Sequence, residues 1–164
     1  MEKFQEAGEK AVQNLKIADH MLCVTYPLVK DNKLLMSITE NIFLSLTNAM
    51  ASVLYFERYF KRIQPFHETF ESKFNIFSND IASRYNIDKK YLKCIRAIKE
   101  VLVAHRDSKI EFSRGNRFVI CEDNYQMRTI GIEELKEFIK VTKEFLVICG
   151  RIVHRNGYLY RASG

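Results

Sequence analysis

The feature that most constrains the fold is an apolar series, Leu35, Ile38, Ile42, Leu46, Ala49, Val53, Phe56 and Phe60, stepping by three and four residues with no Gly or Pro inside it. That spacing marks one face of a helix roughly seven turns long. Phe43, Met50 and Leu54 widen the stripe beyond one face, which predicts a central helix covered on two sides. A chain organised around such a rod needs other helices as its cover.

The rest of the sequence supplies them. From Phe4, the positions Ala7, Ala11, Leu15, Ala18 and Leu22 form one face of a first helix. Pro27 is expected to end it, because Tyr26 before the proline is pushed out of the α region. Pro65 suits the first turn of a helix carrying Phe66, Phe70, Phe74, Phe77 and Ile81. Asn86 and Asp88 offer a cap for the next, whose face holds Tyr91, Ile95, Ile98, Leu102 and His105. At Lys109 the period changes to two: Ile110 and Phe112 alternate with polar residues, Gly115-Asn116 supplies a two-residue turn, and the chain returns through Cys121. With that turn, Ile110, Phe112, Val119 and Cys121 share a face, and residues 126–130 are suited to a third strand. Leu135, Phe138, Thr142, Phe145, Cys149 and Ile152 then define a last helix, expected to stop near Asn156-Gly157.

The expected architecture is a single, mainly all-α domain over residues 1–164. It is a bundle of about five helices with a small β-hairpin, near 109–130, inserted before the last one, and a short basic tail at 157–164. A hydrophobic content of 47% excludes a disordered chain, and 2 Pro with 6 Gly leave too few breaks for a turn-rich all-β design. No apolar run approaches the roughly 20 residues of a membrane span, and the polar start carries no signal-peptide core, so a cytoplasmic location without membrane contact is expected.

Catalytic signatures for phosphate-binding loops, dinucleotide folds, serine hydrolases and zinc proteases are absent. Cys23, Cys94, Cys121 and Cys149 form no CxxC pair, and three of them fall on apolar helical positions, as buried hydrophobes in a reducing compartment would. His20, His67, His105 and His154 lack ligand spacing, so neither a metal nor a cofactor is expected. A formal charge of +6 draws a protein toward phosphates, although interleaved acids and bases also suit a solvated, mixed-sign surface. Arg151, His154 and Arg155 close the last helix as a basic cluster. Such a cluster can track a nucleic-acid backbone or serve only as cations favoured at a helix C-terminus.

The most informative stretch runs from Lys89 to Asp107, where Lys93, Arg96, Lys99 and Arg106 accompany an apolar face that includes His105. Lys99 and His105, six residues apart, differ by about 120° around an ideal helix, so one helix alone does not converge them. His105 reads either as a packed imidazole or as a proton carrier.

This stretch, with Asn48-Ala49-Met50-Ala51 in the long helix and the ending Leu102-Val103-Ala104-His105-Arg106-Asp107, resembles the HEPN superfamily of small helical bundles in toxin–antitoxin, abortive-infection and CRISPR-associated systems. In catalytic members an Arg, often followed by a polar residue, precedes a His by a few residues. Two chains join these motifs into a metal-independent ribonuclease site. The resemblance implies His105 as the proton carrier, Lys99 at the Arg position and Glu100 at the polar position; the basic residues Lys93, Arg96, Arg106, Arg151 and Arg155 are, by their charge, the candidate nucleic-acid contacts. Lys lacks the planar fork of Arg, and Glu100 adds negative charge. The implied function is therefore a homodimer that contacts RNA or a nucleotide-bearing partner, such as a nucleotidyltransferase, and whose ribonuclease activity is weak or lost. A non-enzymatic interaction bundle, antitoxin-like or scaffolding, is the alternative.

Overall fold

The protein, seen here as a computed structural model, is described over residues 1–154. Its helices are α1 (Lys3–His20), α2 (Tyr26–Val29), α3 (Lys33–Tyr59), α4 (Phe70–Ile76), α5 (Ala82–Arg84), α6 (Lys89–Asp107) and α7 (Ile132–Val153). Wider π-helical turns at Met21–Thr25 and Phe77–Ile81 join α1 to α2 and α4 to α5, so the segments make five rods. Strands β1 (Ile110–Arg114), β2 (Arg117–Cys121) and β3 (Met127–Gly131) form one antiparallel sheet in the order β1-β2-β3 between α6 and α7. The mainly helical bundle with a late hairpin is thus present, and the third strand with it.

As the wide apolar stripe requires, α3 is the central rod, packed against α1, α6 and α7. Leu35, Ile38, Ile42, Leu46, Met50 and Leu54 are all fully buried. Ala7, Gly8, Ala11 and Ala18 let α1 come close enough for Ser45 Oγ to donate to the Ala11 carbonyl at 2.7 Å.

Two sequence expectations, both resting on proline, are corrected. Pro27 does not end the first rod: the carbonyl its ring would crowd, that of Cys23, lies in the π-helical turn, whose wider winding accommodates it. The rod runs on to Val29 and stops at Lys30, which has the left-handed φ of 55°. Nor does Pro65 start a helix. The start falls at Phe70, where Thr69 accepts the Ser72 N–H as N-cap, and Phe66 instead stacks on Tyr55 with ring centroids 5.9 Å apart. Asp88 caps α6 by accepting the Lys90 N–H at 2.9 Å.

In the sheet, Ile110 pairs with Cys121 and Phe112 with Val119, so the four do share a face. The bundle, however, takes the opposite face, where Phe118, Ile120 and Ile130 are buried, while Ile110 and Phe112 remain 63% and 42% exposed. Asn32 fixes the hairpin tip: its side-chain amide donates to the Gly115 carbonyl at 2.9 Å, and its oxygen accepts from the Tyr26 hydroxyl at 2.6 Å. Gly115 itself has φ 62°, the left-handed turn position glycine tolerates.

Among the cysteines Cys94 and Cys149 are buried, Cys121 is intermediate, and Cys23 is exposed on the π-helical turn rather than buried. Burial pushes the Cys94 thiol up to about 11 and raises that of Cys149 as well. A disulfide-exchange reagent at neutral pH should therefore label Cys23 first and Cys121 more slowly, with Cys94 and Cys149 labelled only after denaturation. Fast labelling of all four thiols in the native protein would contradict this packing.

Candidate nucleic-acid interface

Helix α6 distributes its functional side chains over two flanks. Toward α3 and α4, Lys99 Nζ stands 5.6 Å from the Phe43 ring centroid and 5.1 Å from that of Phe70. One turn earlier the Arg96 guanidinium covers Phe74 at 4.5 Å and Phe70 at 5.6 Å, and grips both oxygens of Glu71 at 3.0 and 3.3 Å. Lys93 is exposed. Among the described residues neither Lys93 nor Lys99 has a carboxylate within ion-pair distance. These residues make a basic ledge laid over aromatic rings.

Toward the sheet, His105 Nδ1 meets Glu111 Oε2 at 2.6 Å, and its ring packs edge-on against Phe118, with centroids 6.2 Å apart. Glu111 was not singled out in the sequence. Its parity was the available signal, since strand alternation puts it opposite Phe112, on the side facing the bundle. His105 is neither fully packed nor fully free, with its side chain 33% exposed.

Lys99 and His105 thus lie on different flanks, as their 120° separation implies. Glu100 turns to Arg128, 3.7 Å away, and Arg106 pairs with Asp107 at 3.1 Å. The groove beside Lys99 and Glu100, about 520 Å³, is bordered by more carboxylates, Glu71, Asp107, Glu122 and Asp123 among them, than cations. Negative charge there repels a phosphate.

At the far end of the bundle Arg151 is exposed on α7 beside Tyr85 and Lys90. His154 does not join it as a cation, because it is buried and burial holds its pKa below the usual imidazole value. Arg155, the expected helix stop at 156–157 and the tail 157–164 lie outside the described residues.

One further polar centre had no obvious sequence signature. Glu57 is completely buried, bridged by Arg84 Nη1 at 2.8 Å, by Arg62 at 3.8 Å and by the Tyr85 hydroxyl. Burial, then the Glu57 contact, holds the Tyr85 phenol above its usual range, so it remains an O–H donor. All four residues are engaged with one another, which makes this centre structural.

Fold and site together define a mainly α-helical bundle with an appended antiparallel sheet and a cation–aromatic ledge along α6. No protein-family model matches this chain, and no curated protein or solved structure is significantly similar to it. No group of three or more potential metal ligands occurs among the described residues, and no helix there is long and apolar enough to cross a membrane.

Proposed function

We propose that the protein is an RNA-contacting helical module, acting as a homodimer, in which binding has outlasted efficient cleavage. The supporting observation is the ledge: Lys99, with Arg96 beside it, lies on the rings of Phe43, Phe70 and Phe74, and Lys93 and Lys99 carry no carboxylate within ion-pair distance among the described residues. Cations interleaved with aromatic faces suit single strands, whose phosphates need charge and whose unstacked bases need flat surfaces.

Cleavage has a partial chemical basis in His105. Its contact with Glu111 orients the imidazole, and a second copy would have to bring a cation to the same phosphate, because Lys99 of the same chain stands on the other flank. A grip made by Lys also lacks the bidentate fork of Arg.

The test uses a labelled single-stranded RNA with both binding and cleavage read. Replacing Lys93 and Lys99 with Ala should weaken binding at least tenfold, whereas His105→Ala should leave binding and the helical spectrum intact. Any cleavage should survive a chelator, vanish in His105→Ala and rise in Lys99→Arg. Undiminished binding in the Lys93/Lys99 variant would refute the reading.

A second reading, a non-enzymatic protein-interaction module, antitoxin-like or docking a nucleotidyltransferase, is favoured by a different observation. The outer sheet face leaves Ile110, Phe112 and Met127 exposed, and Leu28 near the end of the first rod is 81% exposed. Exposed apolar groups of this kind are consistent with protein contacts.

A further inference from the structure

A cleft of about 390 Å³ opens between α1, α3 and α4, next to the ledge, with which it shares Phe43 and Phe70, and no sheet residue lines it. The small side chains of Ala7 and Ala51 leave room at its base, and Phe43, Tyr55 and Phe70 form apolar walls. Lys3, Lys10 and Lys73 border it with Glu6 as the one acid among its lining residues. Lys3 and Lys10 are two turns apart on α1 and so share a face.

Charge converges on Tyr55. Lys3 Nζ is 5.5 Å from its ring centroid, Lys73 Nζ 5.4 Å, and the Arg58 guanidinium 5.0 Å. The nearby carboxylate, Glu68, is shared: it accepts the Tyr55 hydroxyl at 2.6 Å and pairs with Lys73 at 2.9 Å and Arg58 at 3.9 Å. Lys3 and Lys10 make no ion pair among the described residues. Four cations, Lys3, Lys10, Arg58 and Lys73, thus stand near two carboxylates, Glu6 and Glu68, and the surplus positive charge favours an incoming anion. In the groove on the other flank of Lys99, by contrast, carboxylates outnumber cations.

We infer that this cleft binds a nucleoside phosphate, with its phosphate between Lys3, Lys10 and Lys73 and its planar ring against Phe43 and Tyr55. The aromatic walls distinguish this ligand from bare phosphate, and the lysines distinguish it from a free base. The inference deepens the RNA reading but does not depend on it, since the ligand can be a free nucleotide or the phosphorylated end of a strand.

Fluorescence anisotropy of N-methylanthraniloyl-AMP with the full chain tests it. Unlabelled AMP should displace the probe at least tenfold better than adenosine or inorganic phosphate. Lys3→Ala with Lys10→Ala, both at exposed positions, should weaken the probe at least tenfold while the melting temperature holds. A 5′-phosphorylated oligoribonucleotide that outcompetes both AMP and its 5′-hydroxyl counterpart identifies a strand end, and AMP competing as well as either identifies a free nucleotide. No saturable binding, equal displacement by phosphate alone, or an unaltered double variant overturns the assignment. The RNA reading is scored separately, on 5′-hydroxyl RNA with the Lys93 and Lys99 variant, so either can fail alone.

Discussion

Replacing Arg62 and Arg84 together with Ala is expected to destabilise the protein by about 3–5 kcal/mol, the usual cost of stranding a buried charge. Their carboxylate partner, Glu57, has no solvent access, so once the guanidinium groups at 3.8 and 2.8 Å are gone only the Tyr85 hydroxyl remains to it. The arginines are themselves partly exposed, at 49% and 39%, and removing Glu57 would leave them solvated. The effect should therefore be asymmetric: adding Glu57→Met to the double variant should recover much of the lost stability, because an apolar side chain of similar size needs no counterion. Urea unfolding of the three proteins checks this. A double variant within about 0.5 kcal/mol of the parent, the range of ordinary surface changes, would show that the carboxylate is not stranded.

Phe145→Ala should cost a similar amount, about 3–5 kcal/mol, by a different route. Phe145 is fully buried in α7, edge-on to Phe77 with centroids 5.7 Å apart and tilted against Tyr91 at 5.6 Å. Those rings come from the third rod, which runs from α4 to α5, and from α6, so the truncation leaves a cavity where three rods meet. In a chain of this length the loss should lower the melting midpoint by roughly 2–4 °C per kcal/mol. An unchanged midpoint would place Phe145 outside the core.

The parts of the fold legible in the sequence were those set by periodicity. The stripes of α3 and α7 could be read directly because nothing interrupts them, and the hairpin followed from the change of period at Lys109 together with Gly115-Asn116. Local punctuation misled where a tertiary or helical adjustment overrode it. Pro27 is absorbed by a π-helical turn that leaves no mark in composition, and Pro65 lies before the start that Thr69 fixes by capping. Parity identified which hairpin residues share a face but not which face the bundle covers, since both are partly apolar.

The site divides the same way. That Lys99 and His105 diverge was arithmetic on one helix. The burial of Glu57 was harder to see: it falls one position after Phe56 in the α3 stripe, and its partners lie on other segments. The cleft was invisible, because Lys3, Tyr55 and Lys73 are distant in sequence and meet only when α1, α3 and α4 pack.

The central claim is that the α6 ledge contacts RNA through charge, and the most direct measurement is the salt dependence of binding to a 5′-hydroxyl single-stranded RNA. On single strands each phosphate neutralised contributes about 0.7 to the slope of log K against log salt, so losing Lys93 and Lys99 should flatten that slope by about 1.4. The same slope in parent and variant, or no binding by the parent at about 50 mM salt, would contradict the claim.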